Sequence, residues 1–573
     1  MSKEFKAQAY NFIRRGWYDQ LIASCDAVMA KKGKDPLSLF WKAYGIGMNG
    51  NVNDALRTLE GFQSRKDLQF PVSLALMYFH KKAASVDREA VSNLKSELSI
   101  AEDVAKEAGL ILAARFCLFT ENIKEAFRIS QKIIDSKQTN GPSTAFEMEA
   151  TAIIQWCTIS EVEMLGSVDS SSRQQIRDID DMYSNNRNNE QFDVDSLMVW
   201  ARSRLLIHRT GEALNILNQI IATYPWFLAA LADKALLLAS EQEWDQALDT
   251  AQRLLDVESD HLDALKVIAV HAFTQESQPH DAVQKLEDLD SALQHREPSA
   301  IDSAVELAAL FSCICGRQPR ALQICARVLE RAAKQTVHSG GGGGSGGTSS
   351  DVRCAVVHCQ LGHTLMLQGP MQYERSMKAF REATRRDQNN ARALEGMILC
   401  QLYEGAVEDA ESQIELLTLM HSPEDLGYEF AYLQSLLLRG KKEAKQEHLR
   451  ALTHCRDTFI QQRELATGGG GDSGAPTELL LASRRVKTYL NSFQNLLCSN
   501  PDFTMSLATD FFLHMEATST ISSYIPSSSL LLNGGGGGTG KQLLLQQQEG
   551  GGGGGAAAAS SAVELLVIVS AER

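Results

Sequence analysis

The 573-residue sequence is acidic, with a formal net charge of −15 and a pI of about 5.4, which disfavours a general role in binding nucleic acid because such a surface repels phosphate. The chain is too long for one compact core, so it predicts several domains or a repeat array in which each unit contacts only its neighbours. Its 11 cysteines lack the spacing of a disulfide framework, and neither a signal peptide nor a transmembrane stretch is visible. We therefore expect an intracellular, soluble protein with free thiols.

A repeat of fixed period begins near the N-terminus. Leu21, Ala55 and Ala90 follow one another at intervals of 34 and 35 residues, and the sequence KEAFRISQKIID places a further unit at Ala126. Intervals of this length are typical of repeats that consist of a helix hairpin. The next unit lies 87 residues further on, and the polar stretch Ser167–Glu190 between the two is interpreted as a loop or a poorly matching helix pair.

The clearest unit is GEALNILNQIIATYP, which begins at Gly211. In it Ala213 is followed by Leu217, Ile220 and Pro225. The small residue lets the two helices of a hairpin approach closely, the larger residues fill the groove against the next unit, and the proline ends the helix. This order is the second-helix pattern of a tetratricopeptide repeat.

The same period continues downstream. Ala247 and Ala282 follow at intervals of 34 and 35 residues, RALQICARVLE adds a unit at Ala321, and Ser376 and Ala410 are again 34 residues apart. The residues predicted to pack the helices together are Ala55, Ala126, Ala213, Leu217, Ile220, Pro225, Ala247, Ala251, Ala282, Ala321, Gly362, Phe380, Ala383 and Ala410.

About ten hairpins are recognisable, which predicts an all-α fold: a tetratricopeptide-repeat superhelical solenoid of antiparallel helix hairpins with flexible Gly-rich insertions. The alternative is an irregular helical bundle. The predicted segments are a repeat array over residues 1–336, a Gly/Ser-rich flexible insertion over 337–351, a continuing array over 352–466, a Gly-rich loop over 467–478, a helical segment over 479–517, a disordered low-complexity segment over 518–561 and a short helix stub over 562–573.

Two glycine motifs resemble nucleotide sites but lack the context that such sites need. Gly45–Gly50 matches the dinucleotide pattern GxGxxG, yet the preceding residues belong to a predicted repeat helix instead of a strand. Gly535–Lys541 approaches a phosphate-binding loop, but Gln542 stands where Ser or Thr must hold magnesium. We predict no cofactor-binding residues.

Cys354, His358, Cys359 and His363 carry metal-ligand chemistry at close spacing. On one helix, at about 100° per residue, these side chains would point in directions spread over half the circumference, so they would not converge on one tetrahedral ion. No nucleophile–base pair or carboxylate dyad stands out either. We predict no metal-binding or catalytic residues, and therefore a protein that is not an enzyme.

Several longer stretches are more specific than repeat packing requires. They are DPLSLFWKAYGIGMNGNVNDALRTLEGF from Asp35, DREA at Asp87–Ala90, EWDQALDTAQRLLDVESDHLDAL from Glu243, QLYEGAVEDAESQIELL from Gln401 and NPDF at Asn500–Phe503. In these stretches the chain resembles the N-terminal portion of the large tetratricopeptide-repeat subunit of intraflagellar transport complex A, the tetratricopeptide repeat protein 21 family. The similarity runs in order from the N-terminus to about Glu516.

The resemblance implies a non-enzymatic scaffold subunit that supports retrograde ciliary transport and cilium assembly through protein–protein contacts. Its implied partners are the other complex A subunits and ciliary cargo proteins, with no nucleic acid, transmembrane segment or small-molecule substrate. Its implied location is the cytoplasm and the cilium or flagellum, including the ciliary base. The alternative function is a cytosolic tetratricopeptide-repeat co-chaperone adaptor that binds extended peptide tails, although the Lys, Asn and Arg set of such adaptors is not found in consecutive units.

Overall fold

The structure is a computed structural model that describes residues 3–33, 35–63, 65–83, 86–135, 145–165, 174–179, 181, 192–207, 209–275, 279–315, 317–339, 349–420, 427–439 and 445–467, together with Leu507 and Asp510. Over these residues the regular structure is helical and contains no strand, which confirms the predicted all-α class.

The described helices follow one another along the chain. They are α1 (Lys3–Arg15), α2 (Tyr18–Lys32), α3 (Pro36–Met48), α4 (Val52–Glu60), α5 (Gln69–Lys82), α6 (Arg88–Val104), α7 (Glu107–Phe119), α8 (Ile123–Asp135), α9 (Ala145–Leu165), α10 (Val194–Leu206), α11 (Thr210–Thr223), α12 (Leu228–Ser240), α13 (Trp244–Val257), α14 (Leu262–Thr274), α15 (Pro279–Arg296), α16 (Ile301–Ile314), α17 (Pro319–Ser339), α18 (Ser349–Leu367), α19 (Tyr373–Arg386), α20 (Ala391–Glu404), α21 (Val407–Met420), α22 (Tyr428–Arg439) and α23 (Lys445–Thr467). Residues 174–179 are also helical, and a 3₁₀ turn, Pro370–Gln372, separates α18 from α19.

Consecutive helices pack as antiparallel hairpins, for example α3 with α4, α12 with α13 and α20 with α21. The first helix of a hairpin also packs on the first helix of the next, as α5 does on α7 and α12 does on α14. Helices stacked in series in this way form a solenoid, which confirms the predicted architecture over the described residues.

The turn inside a hairpin has a recurrent backbone conformation. In six hairpins the residue two positions before the second helix has a positive φ, a region that glycine enters easily and other residues enter at a cost. These residues are Gly16, Gly50, Glu121, Gln242, Arg317 and Gly405, with φ between 60° and 100°. The repeat therefore imposes this turn even where the sequence supplies no glycine.

Polar residues begin several helices by capping their first free amides. Asp35 accepts a hydrogen bond from Ser38 N at the start of α3, and Asp87 accepts one from Ala90 N at the start of α6. The aspartate of the DREA sequence is therefore explained locally, because it is the N-cap of α6.

Most residues of the predicted packing set are buried in the structure. Ala55, Ala126, Ala213, Ala247, Ala251, Ala282, Ala321, Ala383 and Ala410 are buried, as are the larger Leu217, Ile220 and Phe380 and the glycine Gly362. Pro225 is exposed in the turn that follows α11.

One aromatic ring requires two glycines. Phe380 of α19 is fully buried, and a Cβ built on Gly362 of α18 would lie 2.5 Å from its ring. A Cβ on Gly396 of α20 would lie only 2.3 Å from the same ring. Gly362 and Phe380 belong to the predicted packing set, whereas Gly396 was not predicted.

We predict that Gly396→Ala lowers the free energy of unfolding by about 1–3 kcal/mol, because the added methyl group overpacks the space that Phe380 fills. The measurement is the chemical denaturation midpoint of the full chain. Gly211→Ala is the control: a Cβ there meets nothing within 4 Å, so the midpoint should stay the same or rise. Equal midpoints for Gly396→Ala and the unmodified chain would contradict the close contact.

Helix α17 continues to Ser339 and α18 begins at Ser349, so both helices extend into the ends of the predicted flexible insertion over residues 337–351. A formed helix extends at little cost beyond its last packed residue, and sequence patterns place helix ends poorly for this reason. The predicted helical segment over 479–517 is represented only by Leu507 and Asp510, both helical. Residues 340–348, and the segments predicted over 468–478, 518–561 and 562–573, lie outside the described residues.

Candidate binding surface

Helix α1 lies along the first helices of the hairpins that follow it. The ring of Tyr10 is 5.8 Å from that of Trp41 on α3 and 5.5 Å from that of Phe119 on α7, measured between centroids. The guanidinium of Arg14 lies 4.1 Å from the ring of Trp156 on α9. Because α1 contacts several first helices at once, these helices must curve around it. We call the space that they enclose the inner channel.

Apolar side chains of α1 fill part of the inner channel. Phe5, Ala9, Tyr10 and Ile13 are buried in the core that α3, α5, α7 and α9 share. Ala7 joins a second core made by α9, α10 and α12. The helix is thus covered on several sides, as a central element is, instead of on one face as in an outer hairpin.

Acidic side chains from four first helices meet the basic side chains of α1. Lys6 pairs with Glu149 of α9, and Arg14 pairs with Asp195 of α10. Arg15 pairs with both Asp233 of α12 and Asp263 of α14, two residues that lie more than 200 positions further along the chain. Charged groups of α1 therefore connect hairpins that are distant in sequence.

Two cations of the inner channel belong to the array itself. The Nη1 atom of Arg115 is 2.7 Å from Asp195 Oδ2, and its guanidinium lies 4.7 Å from the Tyr10 ring. The Nζ atom of Lys266 is 2.6 Å from Glu306 Oε1 and 3.4 Å from Asp263 Oδ1. Together these groups form the channel charge network, which consists of Lys6, Arg14, Arg15, Arg115 and Lys266 with Glu149, Asp195, Asp233, Asp263 and Glu306.

Burial and the facing cations have opposite effects on the pKa values of the carboxylates in the channel charge network. Burial raises the pKa of Asp195, but the facing guanidinium groups of Arg115 and Arg14 outweigh it and lower that pKa to about 2. At Asp233, burial raises the pKa more than the facing Arg15 lowers it, and the negative charge of Asp263 raises it further. Charges this deep are tolerable only when paired, because each loses its hydration.

We predict that Arg15→Met lowers the free energy of unfolding by about 3–5 kcal/mol, because it leaves the buried Asp263 and the half-buried Asp233 without their shared cation. The side chain of Arg15 is only 3% exposed. Arg57→Met is the matched control, since the side chain of Arg57 is 78% exposed where it pairs with Asp54. Loss of this surface ion pair should lower the free energy of unfolding by less than about 0.5 kcal/mol. Equal denaturation midpoints for the two variants would contradict a structural role for the network.

A second contact joins the start of α2 to the turn between α15 and α16, and we call it the closing contact. The amides of Asp19 and Gln20 donate to the carboxylate of Glu297, at 3.2 and 2.8 Å, although the residues are 278 and 277 positions apart. In return the amide of Ser299 donates to Asp19 Oδ2 at 3.2 Å. The N-cap residue of α2 is Trp17, which has no oxygen with which to cap the helix, so Glu297 supplies the missing acceptor.

The closing contact also buries aromatic surface. Trp17 is buried, with its ring 6.3 Å from that of His261. Close by, Arg296 pairs with Glu258 at 3.0 Å and with Asp260. Since α2 and α16 belong to opposite ends of a long run of hairpins, their meeting shows that the array completes one superhelical turn between them.

Burial raises the pKa of Glu297 to about 8, despite the amides of Gln20 and Asp19 that lower it. In the unfolded chain the ordinary value of about 4.5 applies. Since the folded chain holds this proton more tightly, the stabilisation from protonated Glu297 is complete below about pH 4.5 and is lost as the pH rises through about 8.

We predict that the free energy of unfolding falls between about pH 5 and 8, with a slope of up to about 1.4 kcal/mol per pH unit from this group. Glu297→Gln cannot titrate and should lack that part of the slope. The measurement is the denaturation midpoint of both proteins across this pH range. Parallel curves would show that Glu297 does not titrate there.

The motifs with ligand chemistry have packing roles where the structure describes them. Gly45 and Gly47 lie inside α3, and a Cβ on Gly47 would lie 2.3 Å from the ring of Phe79. Cys359 is buried on α18, and His363 lies against Phe380 with ring centroids 4.9 Å apart.

Among the described residues, no group of three or more His, Cys, Asp and Glu side chains has the arrangement of a metal site. None of the described helices combines the length and the apolar character that a membrane span requires.

The inner channel was not predicted from the sequence. The predicted packing residues lie between adjacent helices, whereas the channel depends on side chains that face α1 from distant hairpins. The only signals were the adjacent cations Arg14 and Arg15 and single acidic residues in later first helices. No spacing rule connects them until the curvature of the array is known.

Stacked hairpins whose inner channel is occupied by α1 define a helical-repeat scaffold. The family model described as "Tetratricopeptide repeat protein 21 N-terminal ARM repeat" matches residues 10–248. A second model, described as "Tetratricopeptide repeat protein 21 second ARM domain", matches residues 284–469. The chain therefore belongs to the tetratricopeptide repeat protein 21 family, as its sequence resemblance predicted.

Individual relatives agree with this membership. The chain is 27% identical to tetratricopeptide repeat protein 21B of Homo sapiens over 463 residues, which cover 81% of this chain and 33% of that protein. It is 26% identical to tetratricopeptide repeat protein 21A of Mus musculus over 431 residues, which cover 75% of this chain and 30% of that protein. The chain thus spans about a third of the length of the curated relatives it matches.

The crystal structure of yeast Tom70 aligns with 74% of this chain at 11% identity and a TM-score of 0.28, a likeness too low to carry an argument.

Proposed function

We propose that this chain is a non-enzymatic scaffold subunit of intraflagellar transport complex A and supports retrograde ciliary transport and cilium assembly. The observation that carries the proposal is the family match over residues 10–248 and 284–469, on an array of stacked hairpins. Its proposed partners are the other complex A subunits and ciliary cargo proteins. Its proposed location is the cytoplasm and the cilium, including the ciliary base.

A scaffold needs surface more than it needs a reactive centre. Specific docking of one partner buries roughly 1,000 Å² or more, and a solenoid offers such areas repeatedly along its outer side. The inner channel of the first turn is filled by α1, so partners of residues 18–314 would contact the second helices and the turns.

The described thiols support a role without catalysis. Burial raises the pKa of Cys25, Cys117 and Cys359 to about 12 in each case. A reactive cysteine instead has a lowered pKa in an electropositive, partly exposed site. These thiols therefore act as small apolar side chains in the core.

We expect proximity labelling in a ciliated cell, with the labelling enzyme fused to the full chain, to enrich complex A subunits over the labelling enzyme expressed alone. A second arm uses the Gly211→Ala variant as a control for handling and expression. Enrichment of heat-shock proteins with no transport subunit would overturn the proposal and favour the co-chaperone adaptor.

A further inference from the structure

The position of α1 differs from that of the other first helices. Elsewhere a first helix packs beside the first helix of the following hairpin, as α7 does on α9 and α18 does on α20. The side chains of α1 instead reach α3, α7, α9, α10, α12 and α14 from the centre of the turn. The helix is surrounded by the array in the way that a bound peptide is surrounded by its receptor.

The channel without α1 carries excess negative charge. Within the channel charge network, the array itself contributes five carboxylates and two cations, Arg115 and Lys266, and Arg202 is a further cation that acts on Asp233. Lys6, Arg14 and Arg15 of α1 supply the other three cations of the network. Unpaired carboxylates at this depth are strongly unfavourable, so the channel requires an occupant that is basic.

The channel also selects for shape. Phe5, Tyr10 and Ile13 of α1 occupy apolar space, and the Tyr10 ring lies under the guanidinium of Arg115 at 4.7 Å. An occupant must therefore be a helix that presents aromatic and aliphatic side chains together with cations in this register. A single charged group on an extended chain would leave the apolar walls exposed to water.

We propose that the inner channel is a binding site for a basic amphipathic helix, and that α1 is its built-in ligand. The channel recognises α1 by the paired charges and apolar contacts described above, and its occupation excludes partner proteins from the inside of the first turn. The inference concerns this chain alone and does not depend on membership of a transport complex.

The test separates α1 from the array after the full chain has folded. A recognition sequence for a site-specific protease is inserted after Gly33, at the exposed end of α2. Cleavage then leaves the hairpin of residues 1–33 held only by non-covalent contacts. We expect the labelled hairpin to co-elute with the array in gel filtration and to be displaced by an excess of synthetic peptide 1–33.

Variants are made only in the competing peptide, so the array itself is unaltered. A peptide with Arg14→Glu and Arg15→Glu should compete at least about 30-fold less well, since it reverses charges that face buried carboxylates. A matched peptide with Lys3→Glu and Lys31→Glu has the same net charge but alters exposed positions, and it should compete like the unmodified peptide.

Three results would overturn the proposal. The hairpin could leave the array as soon as the chain is cleaved, or both variant peptides could compete equally. A hairpin that exchanges with no peptide would show that α1 is part of the permanent core and not a ligand. Because the assay contains no other protein, its outcome is independent of the labelling result in cells.

Discussion

The pairing of Arg15 with Asp233 and Asp263 is the interaction on which the first turn depends. In an ordinary repeat array each unit contacts only its neighbours, and stability is a sum of local terms. Here one guanidinium connects the first helix to two hairpins more than 200 residues away. Arg15 and Asp263 are buried and Asp233 is half-buried, so loss of the guanidinium removes a cation from both carboxylates and leaves Asp263 with Lys266 alone in the ion-pair network. The turn therefore behaves as one unit.

The closing contact adds a second constraint of the same kind. Glu297 caps α2 from a hairpin that lies a full turn further along the solenoid, and Asp19 caps the amide of Ser299 in return. A solenoid held only by neighbour packing can extend and compress by small rotations at each hairpin. A turn fixed at its centre by α1 and at its rim by Glu297 cannot do so without breaking buried hydrogen bonds.

The charge balance of the interior explains an apparent contradiction in the sequence. The chain as a whole is strongly acidic, yet its buried channel charge network is balanced between cations and carboxylates. The excess negative charge consequently lies outside the channel. Proteins that dock there would gain from positive charge at their rims, which steers association more than it sets affinity.

The sequence by itself determined the helices, their pairing into hairpins and their stacking, because these depend on neighbours within about 35 residues. The small residues at Ala213 and Ala247 and the terminating Pro225 are local signals of this kind. Only the tertiary structure decided that α1 fills the channel and that Glu297 caps α2. Both contacts follow from the accumulated rotation of many hairpins, and a small angle at each one, which no local pattern specifies, determines which distant residues meet.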